Sequence, residues 1–147
     1  MVRRLTSSSV LLLASLLAAT AAHAEPAADP TGTWLTQAGD AKVKVTKCGG
    51  GICGAIVWLR QPIDPATAKP AVDDKNPNPT LAKRPMMGLP LFSGMQLAGP
   101  NKWSGQIYNA DDGKSYASSI SVANPETLRV EGCVGSLCGG ETWTRAR

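Results

Sequence analysis

Hydrophobic and polar residues alternate with a period of two along most of the chain beyond residue 30. In residues 42–47, Val43 and Val45 alternate with polar residues, which is typical of a strand with one face in a core and the other in water. Residues 127–134 repeat the alternation, whereas residues 52–59 carry apolar side chains on both faces. We expect further strands at residues 32–36, 89–95, 103–108, 115–122 and 139–145.

These strands follow one another with short turns and no convincing amphipathic helix between them. Asp111-Asp112-Gly113, for example, is a strong signal for a tight turn. About eight consecutive strands of this kind favour an antiparallel meander, either closed as a barrel or folded as a sandwich. We therefore predict an all-β, up-and-down β-barrel, with residues 25–147 forming a single domain.

Residues 60–85 depart from the short-turn rule and hold six of the eleven prolines. A long irregular loop of this kind inside a compact domain is commonly a lid, a binding loop or a disordered excursion. Its polar centre, residues 73–79, begins like a calcium-binding loop. However, Pro79 and Pro85 stand where that motif needs glycine and glutamate. We therefore favour turns ordered by side-chain oxygens and expect neither a metal nor a cofactor.

The N-terminal residues have the three parts of a signal peptide. Arg3 and Arg4 precede an apolar run at residues 10–22, and Ala22-His23-Ala24 supplies a cleavage pattern. We expect residues 1–24 to be removed and the protein to be periplasmic or secreted. The apolar run is too short for a transmembrane anchor, which needs ~20 residues.

Removal of this leader changes both the charge and the available chemistry. The leader carries two arginines and no acidic residue, so its loss lowers the formal net charge from +4 to +2. A charge this small is a weak argument for a nucleic-acid partner, and none is expected. The single histidine, His23, also lies in the leader. Without histidine, Ser-His-Asp and Cys-His catalysis and the usual zinc and haem sites are excluded.

An enzyme would then need paired carboxylates or a Ser–Lys dyad. Acidic residues qualify only by residue type, and most of them fall in predicted turns. We therefore predict no catalytic residue. The candidates by type are Asp64, Asp73, Asp74, Asp111, Asp112 and Glu141.

Four cysteines form two Cys-x4-Cys loops, Cys48 with Cys53 and Cys133 with Cys138. Dithiol oxidoreductases usually carry Cys-x-x-Cys at a helix N-terminus, whereas strands are predicted on both sides of these loops. In an oxidising compartment, structural disulfides are the better interpretation. We favour one disulfide within each hairpin, on the outer face of the sheet. A cross-link between the two hairpins remains an alternative, because sequence does not fix connectivity.

Trp34 in the first strand and Arg145 in the last predict a pair at one end of the barrel. An arginine over an indole adds a cation–π contact to the apolar burial. The pair resembles the Gly-x-Trp signature and the closing-strand arginine of lipocalins and related calycin barrels.

A wider resemblance covers nearly the whole chain after the leader. The motifs that carry it are Gly32-Thr33-Trp34, residues 53–59, Asp74-Lys75-Asn76-Pro77, residues 87–91, residues 103–109, Gly113-Lys114-Ser115-Tyr116 and Thr142-Trp143-Thr144-Arg145. They resemble successive motifs of the bacterial secreted domain-of-unknown-function family 2147. The resemblance implies a lipocalin-like barrel in envelope or secreted proteins, with no established enzyme activity. Residues 109–111 depart from the family's more usual Asp-Pro, which affects only a turn.

The leading functional hypothesis is a barrel that binds a small apolar or amphipathic molecule, because eight strands enclose space for one small ligand. A non-catalytic interaction module with an envelope protein partner is the alternative, and a carboxylate-based hydrolase comes third. The loop at residues 60–85 would serve as a lid in the first case and as a docking surface in the second. The predicted ligand-binding residues are Trp58, Trp103, Tyr108, Tyr116, Asp74 and Asn76.

Overall fold

The computed structural model describes residues 28–147, so the predicted signal peptide lies outside the described residues. The strands of the described part are β1 (Gly32–Leu35), β2 (Ala41–Cys48), β3 (Gly51–Leu59), β4 (Ile63–Asp64), β5 (Lys69–Pro70), β6 (Pro90–Gly99), β7 (Lys102–Asn109), β8 (Lys114–Asn124), β9 (Thr127–Val134) and β10 (Leu137–Arg145). A 3-10 helix spans Leu81–Lys83. No helix in this part of the chain is long and apolar enough to cross a membrane.

Eight of the strands close into an antiparallel barrel in the order β1-β10-β9-β8-β7-β6-β3-β2. Closure depends on β1, which pairs with β2 on one side and with β10 on the other. Trp34 lies opposite Val43 in the first pairing and opposite Arg145 in the second. A closed sheet has no exposed strand edges. The predicted up-and-down barrel is confirmed, and the sandwich alternative is wrong.

Strand direction sorts the connections into two ends of the barrel. The β2–β3, β6–β7 and β8–β9 turns lie at one end, together with the start of β1 and the end of β10. We call this the closed end. The β1–β2, β7–β8 and β9–β10 connections and the long segment between β3 and β6 lie at the other, the open end.

Both disulfides of the structure lie within hairpins, Cys48–Cys53 and Cys133–Cys138. The favoured pairing is therefore the one present. The alternative cross-link is wrong because the β2–β3 turn is at the closed end and the β9–β10 turn at the open end. Each turn has two residues, fewer than the four residues between the cysteines, because β3, β9 and β10 extend past their cysteines towards the turn. Gly49 and Gly50 both have positive φ, 52° and 79°, as such tight hairpin turns require.

The hydrophobic core fills the closed half of the barrel. It gathers the inward-facing side chains of the alternating strands, which is the arrangement that a period of two predicts. Gly54 has no side chain, and the Phe92 ring occupies the position that a Cβ would take. The core residues are Trp34, Val43, Val45, Ile52, Phe92, Met95, Trp103, Ile120, Val122, Leu128, Val130 and Trp143.

Trp34 and Arg145 seal the closed end. The indole of Trp34 is fully buried and donates a hydrogen bond to the carbonyl of Pro30, 2.9 Å away. The Arg145 guanidinium lies 4.1 Å from the centre of the Trp34 ring. It also donates to the carbonyls of Pro125 at 2.6 Å and Thr31 at 3.0 Å. The arginine therefore ties the entering chain to the β8–β9 turn across the end of the core.

The segment between β3 and β6 is more ordered than the irregular loop predicted for residues 60–85. It contains the small β4–β5 hairpin, the 3-10 helix and a bridge between Val72 and Pro85. At its end, Ile56 of β3 exchanges backbone hydrogen bonds with Gly88 and Leu89. The segment thus folds beside the open end instead of extending away from the barrel.

Candidate functional site

A cavity of about 1080 Å³ occupies the open half of the barrel. Its floor is the upper surface of the core. Four residues line the cavity and also belong to the core or pack against it: Leu91, Ile107, Val130 and Trp143. Apolar side chains predominate on the walls, and Ala71 and Met86 of the long segment reach the mouth. The volume is slightly above the ~300–1,000 Å³ typical of small-molecule sites.

Small inward-facing residues create this space. Ser118, Gly132 and Gly139 are direct neighbours across β8, β9 and β10. A Cβ built at Gly139 would have no atom within 4 Å. Where the closed half carries tryptophan, phenylalanine and leucine, this wall carries almost no side-chain volume, and the interior stays empty.

A carboxylate lies inside the otherwise apolar wall. Glu141 of β10 is opposite Val130, on the same inward face as Trp143. The indole N–H of Trp143 donates a hydrogen bond to Oε1 of Glu141. The buried Ser118 hydroxyl instead donates to the carbonyl of Tyr116, 2.9 Å away. Glu141 is therefore the charged group best placed to meet a molecule in the cavity.

Tyr116 lines the cavity at the start of β8. Its hydroxyl donates a 2.5 Å hydrogen bond to Oδ2 of Asp112 in the β7–β8 turn. Two causes raise the pKa of Tyr116 above its ordinary value of 10.0: this hydrogen bond, which is the larger, and burial. The phenol is therefore held as a neutral hydrogen-bonding group at the rim.

A polar cluster around Asp73 fastens the long segment to β7, and we call it the Asp73 latch. Asp73 is only 1% exposed. Its carboxylate accepts hydrogen bonds from the Tyr108 hydroxyl at 2.6 Å and from the Asn76 amide at 3.1 Å. Arg84 donates from Nε at 2.9 Å and lies at 2.8 Å through Nη2. Every buried side-chain polar atom in the described residues has a partner, so the burial of this charge is compensated.

The latch also sets the environment of Tyr108, which borders the cavity. Burial raises the pKa of Tyr108 above 10.0, and the hydrogen bond to Asp73 raises it further. The Arg84 guanidinium lies 5.1 Å from the centre of the Tyr108 ring. At Gly113, a Cβ would overlap the carbonyl oxygen of Lys75. The segment is therefore packed closely against both β7 and the turn that follows it.

Only some of the residues predicted to bind a ligand come to the cavity. Tyr108 and Tyr116 line it, and Asn76 lies behind Tyr108, 3.0 Å from its hydroxyl. Asp74 points to solvent, 3.8 Å from the Lys75 ammonium. The structure therefore brings Asn76 and Tyr108 together but leaves Asp74 apart.

The two predicted tryptophans lie elsewhere. Trp58 is on the outer face of β3, 39% exposed, with the Lys42 ammonium 5.1 Å from its ring. An irregularity in the β2–β3 register at this point turns it outward. Trp103 faces inward, but it begins β7 at the closed end and is buried in the core. Neither side chain lines the cavity.

Sequence reasoning did not assign ligand or latch roles to Asp73 and Glu141. Glu141 has a detectable signal, because it shares the inward alternation of β10 with Trp143. Asp73 has none, since Asp73 and Asp74 are identical neighbours that only tertiary contacts distinguish. The small residues at 118, 132 and 139 likewise show their effect only when three strands are placed side by side.

Three of the acidic candidates for catalysis, Asp64, Asp73 and Asp112, accept structural hydrogen bonds. Asp64 accepts a hydrogen bond from the backbone of Ala66, and Asp112 from that of Lys114. The side chains of Asn76 and Asn78 accept similar hydrogen bonds from the backbone N–H groups two residues ahead. These bonds form the turns predicted for this segment. Within residues 28–147, no three potential ligands are grouped to hold a metal ion.

Residues 32–145 match the family described as an uncharacterized protein conserved in bacteria, DUF2147. The chain belongs to this family. The match covers every strand of the DUF2147 barrel, from β1 to β10. The family resemblance noted from the motifs is confirmed.

A similar solved structure supports the fold of this DUF2147 protein. It is protein HP1028 from the human pathogen Helicobacter pylori, described as belonging to the lipocalin family. The two chains are 22% identical, with a TM-score of 0.67 over 82% of this chain and 84% of the other. At this identity the likeness shows a lipocalin-like fold. No curated protein matches the sequence significantly.

Proposed function

We propose that this protein binds one small apolar or amphipathic molecule in the open half of its barrel, as a carrier or sensor. The observation that carries the proposal is the cavity of about 1080 Å³, with apolar walls and a polar rim. A site of this kind buries most of a small ligand while a few polar groups fix its orientation. Of the predicted ligand contacts, the proposal keeps Tyr108 and Tyr116 directly and Asn76 as support for Tyr108.

The proposal places the protein in the periplasm or outside the cell. Two disulfides support this location, because disulfides persist in oxidising compartments. The predicted signal peptide at residues 1–24 agrees with it. A single domain after cleavage remains part of the same proposal.

We favour binding over catalysis. The chain beyond the leader has no histidine, and both cysteine pairs are disulfide-bonded. The inward carboxylate, Glu141, accepts its hydrogen bond from an indole and not from a second carboxyl group. Paired carboxylates are what a glycosidase-type mechanism needs. None of the contacts described for residues 28–147 favours a non-catalytic interaction module, so binding of a small molecule is the single function proposed.

The test is to fill the cavity by mutation. Gly139→Leu places a side chain in open space inside the barrel, without opposing a positive φ. We expect it to weaken binding of the neutral dye N-phenyl-1-naphthylamine and of dodecanol, which competes with the dye, by at least about tenfold. Fluorescence titration measures the dye, and its displacement measures the alcohol.

Gly99→Leu is the matched control. Gly99 ends β6 at the closed end, also has a negative or extended φ, and a Cβ added there would likewise have no atom within 4 Å. It should leave dye binding unchanged. Equal binding by wild type and Gly139→Leu, with both variants folded, would show that the cavity is not the site.

A further inference from the structure

The charge around the cavity is opposite in sign to that of the chain. Among the described residues that line the cavity, four are acidic and one, Arg60, is basic. The chain without its predicted leader, in contrast, has a formal net charge of +2. Lys42 and Lys44 of β2, for example, alternate with its inward valines and therefore face outward. The acidic lining consists of Asp40, Asp111, Glu131 and Glu141.

These four carboxylates are not equivalent. Asp40 lies on the rim and accepts a 2.6 Å hydrogen bond from the Thr36 hydroxyl. Glu131 alternates with the inward Val130 and lies 3.6 Å from Arg129 on the outer face. Asp111 is exposed in the β7–β8 turn. Glu141 alone is carried by the inward face of a strand, within the barrel.

The position of Glu141 is fixed by the fold. The Trp143 indole, itself part of the buried floor, donates to Oε1. No ion pair in the described chain includes Glu141, so its charge is not neutralised there by Lys or Arg. A negative charge in a largely apolar cavity is best compensated by a positive group from the ligand.

We infer that the ligand is a cationic amphiphile, whose apolar body fills the cavity and whose protonated nitrogen pairs with Glu141. This inference rests on the proposed function and narrows it to one class of ligand. A fatty-acid-like anion would place its carboxylate near that of Glu141, and this repulsion selects against it. A neutral alcohol would gain the apolar contacts but not the ion pair.

Three probes with the same alkyl chain separate these cases: dodecylamine, dodecanol and dodecanoate. Each is used below its micelle-forming concentration to displace N-phenyl-1-naphthylamine from the full mature protein. We expect the amine to bind about tenfold more tightly than the alcohol, since hydrogen bonds to charged groups are stronger than neutral ones. The carboxylate should bind most weakly. The preference for the amine should decrease as salt is added, because salt screens the ion pair.

Glu141→Gln should remove most of the preference for the amine and leave binding of the alcohol nearly unchanged. Glutamine keeps an oxygen that can accept the Trp143 N–H, so the variant retains the local hydrogen bond. Glu126→Gln is the matched control. It removes the same charge from the β8–β9 turn at the closed end, where Glu126 is exposed.

The outcomes distinguish this inference from the proposed function. Equal binding of amine and alcohol to the wild type, or equal effects of the two substitutions, overturns the inference and leaves a carrier of neutral ligands. Tighter binding of dodecanoate overturns it as well. If neither the dye nor any probe binds, the carrier function fails and the inference fails with it.

Discussion

The two ends of this barrel share one continuous sheet but differ in the size of the residues that point inward. At the closed end, Trp34, Phe92 and Trp103 fill the interior. At the open end, Gly132 and Gly139 carry no side chain, and the space at Gly139 is open. An eight-stranded barrel is just wide enough for either outcome. Side-chain volume, and not a gap in the hydrogen-bonded sheet, therefore determines which end of the barrel contains open space.

The ends also differ in how they are covered. Arg145 crosses the closed end and binds two backbone carbonyls over the Trp34 ring. At the open end, the Asp73 latch holds the long segment beside the mouth and leaves the cavity open to solvent. The closed end is therefore expected to carry stability, and the open end to carry binding.

The sharpest test of this division is Trp34→Ala. The side chain is fully buried, so its loss leaves a large void and removes the stacking partner of Arg145. We expect a decrease of about 3–5 kcal/mol in the free energy of unfolding, measured by urea denaturation. Trp58→Ala is the control, because Trp58 is exposed on the outer face, and it should cost less than about 1 kcal/mol. Similar losses for both variants would contradict a core concentrated at the closed end.

The second test concerns the latch. Asp73→Ala leaves Tyr108, Asn76 and Arg84 without their common acceptor, and we expect a loss of about 2–3 kcal/mol. Hydrogen exchange should increase in residues 60–89 more than in the barrel strands. The control is Asp74→Ala, which removes an exposed neighbour of the same type and should change stability by less than about 0.5 kcal/mol. Equal effects of the two substitutions would show that the latch does not fasten the segment.

Much of the fold was predictable from sequence because alternation of apolar and polar residues reports which face of a strand is buried. It predicted the strands of the barrel and the hairpins that hold both disulfides. The depth of a side chain along the barrel axis was not assigned in this way. Trp103 and Ile107 share the inward face of β7, yet Trp103 lies near the start of the strand in the core and Ile107 near its end beside the cavity.

Trp58 shows a different limit of sequence reasoning. A single register shift in the β2–β3 pairing changes the face on which every following residue lies. A sequence pattern does not reveal such a shift. Asp73 and Asp74 show the same limit in a loop, where a contact with Arg84, eleven residues away, decides which carboxylate is buried.

The two disulfides provide a third test, because each belongs to a different end. Replacing both cysteines of one pair by serine should cost about 2 kcal/mol for either pair, since each closes a short loop of similar length. The effect on dye binding should differ between the two variants. Cys138 and the exposed Leu137 border the cavity, whereas the Cys48–Cys53 hairpin lies at the closed end. We expect weaker dye binding only without Cys133–Cys138. Equal loss of dye binding in both variants would contradict the separation of the two ends.

The smallest expected effect is an alkaline one at the open end. The pKa of Tyr108 is raised in the folded protein by burial and by its hydrogen bond to Asp73. A folded-state pKa above the unfolded value of 10.0 means that this stabilisation is complete below pH 10. It is then lost as the pH rises through the folded-state pKa.

Tyr108→Phe removes this contribution together with the hydroxyl, and should cost about 1 kcal/mol at neutral pH. The stability difference between wild type and variant should then narrow as the pH rises above 10.0, in urea titrations at successive pH values.

Tyr116→Phe is a useful comparison, because its hydroxyl bonds to the exposed Asp112 in a turn and not to a buried carboxylate. Absorbance near the phenolate band assigns the two titrations, since the chain has only these two tyrosines. A difference between wild type and Tyr108→Phe that stays constant across this range would mean that the tyrosine ionises equally in both states. The Tyr108 hydroxyl would then contribute to the latch equally at every pH, without a shifted ionisation.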